Sequence, residues 1–332
     1  MRLGIIGSGM IVREFLPELV RMDVLSVQAL LCTPRSLEQA EQLAVQYGIG
    51  RVVTSMQALC RLELDAVYVA VPNALHFSYC KQALEAGLHV IVEKPLAANE
   101  QEALALARIA REQGRFLFEA VTTLSMESYA VLRAWLPRIG QVRQVLCNFA
   151  QYSSRYDAFQ AGQTAPVFQP AMAGGVLHDL NVYNLHLVMG LFGSPQRVQY
   201  TAHVERGIDL SGVVLLQYPG FCAICAAAKD SAAPSYFVFQ GSEGWLSLDR
   251  APNAMGGVRL CLRDGTEEHF VEPMAARRAV PEFYDFARAI RAHDTGFWES
   301  RMQQSLAVSH VMTLARQDAG IRFPSDEQSL FG

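Results

Sequence analysis

Several short clusters in this sequence carry residues whose types and spacing can do chemistry. The first is Gly7-Ser8-Gly9-Met10-Ile11. A glycine in the first place allows a tight turn. A glycine two residues on lets the backbone approach a pyrophosphate seated on a helix N-terminus. Gly7, Gly9, Met10 and Ile11 are therefore expected to hold a dinucleotide, although Val12 stands where a third small residue is usual. The second cluster is Leu31-Cys32-Thr33-Pro34-Arg35-Ser36. An acid here would bond the ribose 2′-hydroxyl of NAD. None is present, and Thr33, Arg35 and Ser36 suit a 2′-phosphate, because a guanidinium matches phosphate geometry. NADP is favoured, with NAD left open. Two further clusters, Pro72-Asn73-Ala74-Leu75-His76 and Glu93-Lys94-Pro95, follow apolar runs. In doubly wound sheets ligands bind at the carboxyl ends of strands, so Pro72, Asn73, His76, Glu93 and Lys94 are well placed for the cofactor.

Those clusters need strands and helices to position them. Short apolar runs at Leu3–Ile6, Leu25–Cys32, Ala66–Val71, His89–Glu93 and Phe116–Ala120 read as strands. Helical patterns at Ile11–Arg21, Leu37–Tyr47, His76–Ala86 and Asn99–Gln113 lie between them, with Asn99 as an N-cap. This alternation predicts a parallel sheet covered on both faces, an α/β dinucleotide-binding domain over residues 1–121. Beyond it the pattern becomes α+β, with a large, mostly antiparallel open sheet. Helices are expected at Met126–Leu136, Gly174–Leu191, Pro281–Ala292 and Glu299–Gln317. The rest is largely strands, and this second domain is drawn as 122–332.

Composition bounds the function. The chain has 332 residues, about two domains' worth. It carries 28 Lys and Arg against 32 Asp and Glu, a net charge of −4 that argues against nucleic acid. The longest apolar runs are strand-length and predict no membrane span. The N-terminus shows no cleavable apolar segment, and the seven scattered cysteines are not a disulfide framework, so a cytoplasmic protein is expected. Cys222 and Cys225 read as structural thiols on opposite faces of one strand. No His, Asp or Glu cluster has metal-ligand spacing.

The set G-x-G, P-N-x-x-H and E-K-P, followed by an α+β half, resembles the Gfo/Idh/MocA family of oxidoreductases over nearly the whole chain. The resemblance implies a Rossmann domain followed by a large open sheet. It implies hydride transfer between a nicotinamide and a carbinol or carbonyl carbon of a sugar, polyol or related compound. It puts Asn73 and His76 near the nicotinamide ribose and makes Lys94 the residue that bonds the reacting hydroxyl. The family's second-domain helix, with an Asp and four residues on a His or Tyr, corresponds to Asp179 and Tyr183. Residues at this spacing share a helix face. Tyr183 is a departure from the commoner His and is similar to the branch that includes glucose–fructose oxidoreductase and dimeric dihydrodiol dehydrogenases. A free phenol titrates near 10. A cationic Lys94 nearby would favour the phenolate and let Tyr183 take or return the alcohol proton. Asp179 would orient the substrate.

Some features stay open. His186, seven residues past Asp179 on the same stripe, reads as a packing residue or a catalytic one. The polar, aromatic stretch Gln151–Asp157 reads as a pocket wall or a solvated loop. The double glycine Gly174-Gly175 allows close approach to a ligand. A catalytically silent dinucleotide-binding sensor is the alternative to an enzyme. A broad sheet covered by helices on one side only leaves a face for a second copy, so a homodimer or homotetramer is expected.

Overall fold

The computed structural model describes residues 1–248, 250–273 and 280–327. They divide into two compact units, one built from residues 1–120 and 280–306, the other from 121–273 and 307–327.

The first unit is a six-stranded sheet in the order β3-β2-β1-β4-β5-β6. Its strands are β1 (Arg2–Ile6), β2 (Ser26–Leu31), β3 (Arg51–Val53), β4 (Ala66–Val69), β5 (His89–Glu93) and β6 (Leu117–Ala120), and all pairs are parallel. β4 and β5 are buried along their whole length, which is why they read as unbroken apolar runs. Helices Met10–Leu19, Leu37–Tyr47, His76–Glu85 and Glu100–Glu112 form where the periodicity placed them. Asn99 caps the last of these, its side-chain oxygen 2.9 Å from the Glu102 amide. The edge strand β3 and the short helix Met56–Cys60 were not expected; each is too short to show a period. Strand order reverses between β1 and β4, so the carboxyl ends of those two strands open the crevice where such sheets bind ligands.

Residues 280–306 belong to this unit, not wholly to the second domain as drawn from sequence. On helix Val280–Ala292, Phe283 meets the edge of Tyr68 at 5.1 Å and Phe286 stacks on Phe118 at 4.6 Å. On helix Thr295–Asp318, Trp298 stacks on Phe116 at 5.2 Å and donates from Nε1 to Leu117 O at 3.1 Å. An apolar helix stripe demands a partner face but does not say which, and here the partner lies more than a hundred residues upstream.

The second unit is an eight-stranded sheet, order β14-β13-β12-β11-β7-β10-β9-β8. The strands are β7 (Val142–Ala150), β8 (Arg197–Glu205), β9 (Ile208–Tyr218), β10 (Phe221–Ala228), β11 (Tyr236–Gly241), β12 (Gly244–Leu248), β13 (Gly257–Leu262) and β14 (Glu267–Val271). Only β7 and β10 pair parallel; the other neighbours are antiparallel. One face is core: Cys147, Phe149, Ala223, Cys225, Phe237 and Phe239 are buried. Helix Val182–Phe192 lies on it, with Tyr183 against Phe149 and Phe192 against Phe221 and Phe239. On the other face Leu215, Ile224, Leu146 and Val238 follow one another across β9, β10, β7 and β11 and are only half-buried. Cys222 and Cys225 do lie on opposite faces of β10, Cys225 buried and Cys222 half-buried. No described helix is long and apolar enough to cross a membrane.

His89 opens β5 with 8% exposure, and its Nδ1 accepts from the Phe116 amide at 2.9 Å. Burial, with Arg115 and His293 nearby, pulls its pKa down to about 4. The unfolded imidazole titrates near 6.5, so the folded state resists protonation. That contribution is complete above about pH 6.5 and is lost as pH falls toward 4, roughly 3 kcal/mol in all. Urea unfolding between pH 7 and 4 is expected to show this loss, and His89→Gln should flatten the slope in that window.

Candidate active site

The chemistry-bearing residues form two sets, one on each unit. In the first unit β1 ends at Ile6 and the Gly7 amide donates to Leu31 O at 2.8 Å. Gly7 has φ +119, and a Cβ there would lie 2.3 Å from Ala70 O, so this turn is cut to fit the end of β4. Gly9 differs: a Cβ there would meet nothing within 4 Å. It is the N-cap of helix Met10–Leu19 with no side-chain cap bond, and Met10 is 60% exposed. An open helix N-terminus at the switch point of a parallel sheet fits a dinucleotide pyrophosphate. Val12, where the fingerprint expects a small residue, is buried in the core. At the end of β2, Thr33 and Arg35 are exposed on the 3-10 turn Pro34–Ser36, which the Thr33 and Ser36 hydroxyls close at 3.0 Å.

Pro72 and Asn73 follow β4 and are half-buried. His76, expected from sequence near the cofactor, has its side chain turned inward. It is fully buried, with Nδ1 2.8 Å from Pro95 O and Nε2 3.0 Å from Val71 O. Burial pulls its pKa down, the two carbonyls opposing. His76 thus fills the space between the P-N turn and the E-K-P turn and, as a neutral ring with one N–H, donates to one of the two carbonyls. Glu93 is also inward, buried and accepting from the Tyr68 hydroxyl. Lys94, half-buried, follows it and precedes a cis bond to Pro95.

In the second unit the expected helix Gly174–Leu191 begins instead as a π-helical turn, Leu177–Asn181, that continues into the α-helix Val182–Phe192. Such turns are frequent at functional sites. The double glycine is taken up by protein, not left open for a ligand. A Cβ at Gly174 would lie 2.5 Å from Val167 O, and one at Gly175, φ +107, would lie 1.9 Å from Asp209 Oδ1. Asp209, 1% exposed, accepts from the Leu177 amide and the Tyr200 hydroxyl, each at 2.7 Å. Burial pushes both of these side chains' pKa values up. Asn181 donates to Cys225 O at 2.9 Å, and Asn184 to Asn181 Oδ1 at 2.8 Å and Ala226 O at 3.0 Å. These amides pin the helix to β10.

Asp179 sits inside the π turn with its side chain 31% exposed, and Tyr183 follows on the α-helix at 7% exposure. Asp179 Oδ2 accepts from Lys229 Nζ at 3.0 Å. Lys229 was not foreseen; its only signal in the sequence is a lone cation after the apolar run of β10. Asn181 and Asn184 were also missed, though two amides three apart in an apolar helix are a readable sign. His186 is fully buried in this unit. The 151–157 segment borders Lys229, its Gln151 and Ser153 amides donating to Ala228 O and Lys229 O at 2.9 Å. Tyr152 donates to Asp157 at 2.5 Å.

Comparison with known proteins agrees with this architecture. The family model described as "Oxidoreductase family, NAD-binding Rossmann fold" matches residues 1–121, and the GFO/IDH/MocA C-terminal domain matches 136–247. A scyllo-inositol 2-dehydrogenase (NADP(+)) of Bacillus subtilis is 31% identical over 98% of this chain and 99% of its own. The chain belongs to the Gfo/Idh/MocA family. A trans-1,2-dihydrobenzene-1,2-diol dehydrogenase of Mus musculus is 27% identical over 87% of this chain and 96% of its own. Among solved structures, KijD10, a 3-ketoreductase from Actinomadura kijaniata in complex with NADP and TDP-benzene, superposes with a TM-score of 0.84 at 26% identity. That match covers 96% of this chain and 97% of the other. As a member of this family, the chain is an NAD(P)-dependent dehydrogenase or reductase acting on a CH–OH group.

The two loop glycines make contrasting demands. Gly7→Ala is expected to lower the midpoint of thermal unfolding by several degrees, because strain and a backbone clash together exceed about 1 kcal/mol. Gly9→Ala should cost only about 0.5 kcal/mol as an N-cap change and should weaken NADPH binding instead. Calorimetry with and without NADPH separates the two effects.

Proposed function

We propose that this protein transfers a hydride between NADP and a carbinol or carbonyl carbon of a sugar, polyol or related hydroxylated small molecule, with Tyr183 as acid/base assisted by Lys94. The observation that carries this reading is the pinned helix of the second unit, which holds a nearly buried phenol, Tyr183, one turn after a partly exposed carboxylate, Asp179. When bound, the nicotinamide supplies or accepts the hydride. The residues of the chain do the rest. The Lys94 ammonium bonds the reacting oxygen and favours the phenolate form of the neighbouring acid/base. Tyr183 takes the hydroxyl proton in oxidation and returns it in reduction. Asp179 accepts from a second substrate hydroxyl and sets the ring's orientation. The glycine loop cradles the pyrophosphate through Gly7, Gly9, Met10 and Ile11. Pro72 and Asn73 border the nicotinamide end.

The choice of NADP rests on the end of β2. Exposed Thr33 and Arg35 offer a hydroxyl and a guanidinium, with no carboxylate in that turn to bond a free 2′-hydroxyl. The NADP-dependent Bacillus relative supports it.

Tyr183→Phe is expected to lower kcat by about a hundredfold or more while the NADPH dissociation constant stays within twofold. The measurement is nicotinamide absorbance with scyllo-inositol, myo-inositol, glucose and a trans-dihydrodiol as alcohols. Unchanged turnover in the variant would remove Tyr183 from the mechanism. Tight NADPH binding with no turnover of any alcohol by the wild type would favour a silent sensor.

The outward row Leu215, Ile224, Leu146 and Val238 is the surface we assign to a second copy, giving a dimer or tetramer. Light scattering at micromolar concentration is expected to show at least twice the monomer mass, and Ile224→Lys to reduce it. A wild-type monomer would refute the assignment.

A further inference from the structure

The Lys229 side chain is only 1% exposed. An ammonium has three N–H donors and no acceptor. Each donor has a partner here: Asp179 Oδ2 at 3.0 Å, Val167 O at 3.3 Å, and the face of the Phe168 ring at 4.3 Å from Nζ. The backbone is held equally firmly. The Lys229 amide donates to Leu210 O at 2.8 Å, and its carbonyl accepts from the Ser153 amide at 2.9 Å. A lysine so saturated has no N–H left for a substrate. Burying its charge costs several kcal/mol unless a counter-charge is in contact, and packed apolar residues of the same volume are commonly as stable or more so. Asp209, also buried, lies close enough for the ammonium to act on its carboxyl, but its hydrogen bonds go to Leu177 and Tyr200. The partner in direct contact is Asp179, whose side chain is still 31% exposed.

We propose that Lys229 is a positioning residue: clamped from behind, it grips one oxygen of Asp179 and so aims the carboxylate as a fixed acceptor for a substrate hydroxyl other than the one oxidised. This deepens the function proposed above and rests on it. A carboxylate locked in an ion pair serves as an acceptor, not a proton shuttle. The clamp also explains the π turn, which places Asp179 within reach of the end of β10 while Asn181 and Asn184 keep the helix on the sheet.

The test is a double-mutant cycle read by binding as well as turnover. The probe is the panel alcohol that the wild type turns over fastest, titrated into the NADPH-bound enzyme and followed by nicotinamide fluorescence. Lys229→Met is expected to raise the probe's Kd and KM by about tenfold or more, with NADPH affinity unchanged. In an Asp179→Asn background the same substitution should add less than about twofold, because the group it positions is already neutral. Lys229→Arg, which keeps the charge, should come closer to wild-type KM than Lys229→Met does. A merely structural lysine predicts the reverse order, a lower unfolding temperature, and the same fold-change in both backgrounds; that pattern would overturn the proposal. Absence of turnover with every panel alcohol would instead refute the underlying function. Normal kcat in Asp179→Asn together with tight binding would do the same for that residue's role.

Discussion

The Asp209 carboxylate receives the Leu177 amide and the Tyr200 hydroxyl in a space that water does not reach. An unpaired carboxyl there would be costly, and an unpaired amide at the start of the helix nearly as much. The interaction is possible only because Gly175 has no Cβ, which would occupy the position of Asp209 Oδ1. From this junction the chain enters the π turn, and the turn sets where Asp179 and Tyr183 emerge. Asn181 and Asn184 add a second anchor on β10. The face of the second unit that carries Asp179 and Tyr183 is thus fixed by one buried acid and two buried amides.

The first unit reaches the same end by different means. Its loops are held by the sheet below them and by His76, whose ring spans the carbonyls of Val71 and Pro95. Glu93 is tied to Tyr68, and Glu119 accepts from the Leu96 amide just beyond the E-K-P turn. The buried polar groups of this half therefore align backbone, while Gly9, Met10, Thr33 and Arg35, left open, are those proposed for a dinucleotide. Precision in a site comes from supporting groups of this kind more than from the contact residues themselves.

Much of this was legible before any coordinates. The parallel sheet was readable because β4 and β5 are buried on both faces and so show unbroken apolar runs. The helices ending near Tyr47 and Glu85 and the cap at Asn99 follow from local pattern. The G-x-G turn was legible because steric demand at Gly7 leaves few residues that fit. Asp179 and Tyr183 were marked by what the family resemblance implies, their spacing adding only that they share a helix face. Lys229 was not, since a lysine after a strand is usually a solvated end, and only the fold brings it under Asp179.

By itself the sequence determined which segments become strands and helices, the order of two structural classes along the chain, and the residue types able to bind a dinucleotide or move a proton. These depend on periodicity and on side-chain chemistry within a few residues. Tertiary structure alone decided that residues 280–306 cover the first sheet, that His76 and Glu93 point inward, that Gly174 and Gly175 make room for protein, and that Asp179 is held by Lys229. These pairings run from a few residues, as between His76 and Val71 or Gly174 and Val167, to more than a hundred. Local pattern states that a polar or apolar group needs a partner, and only the packed chain chooses which one.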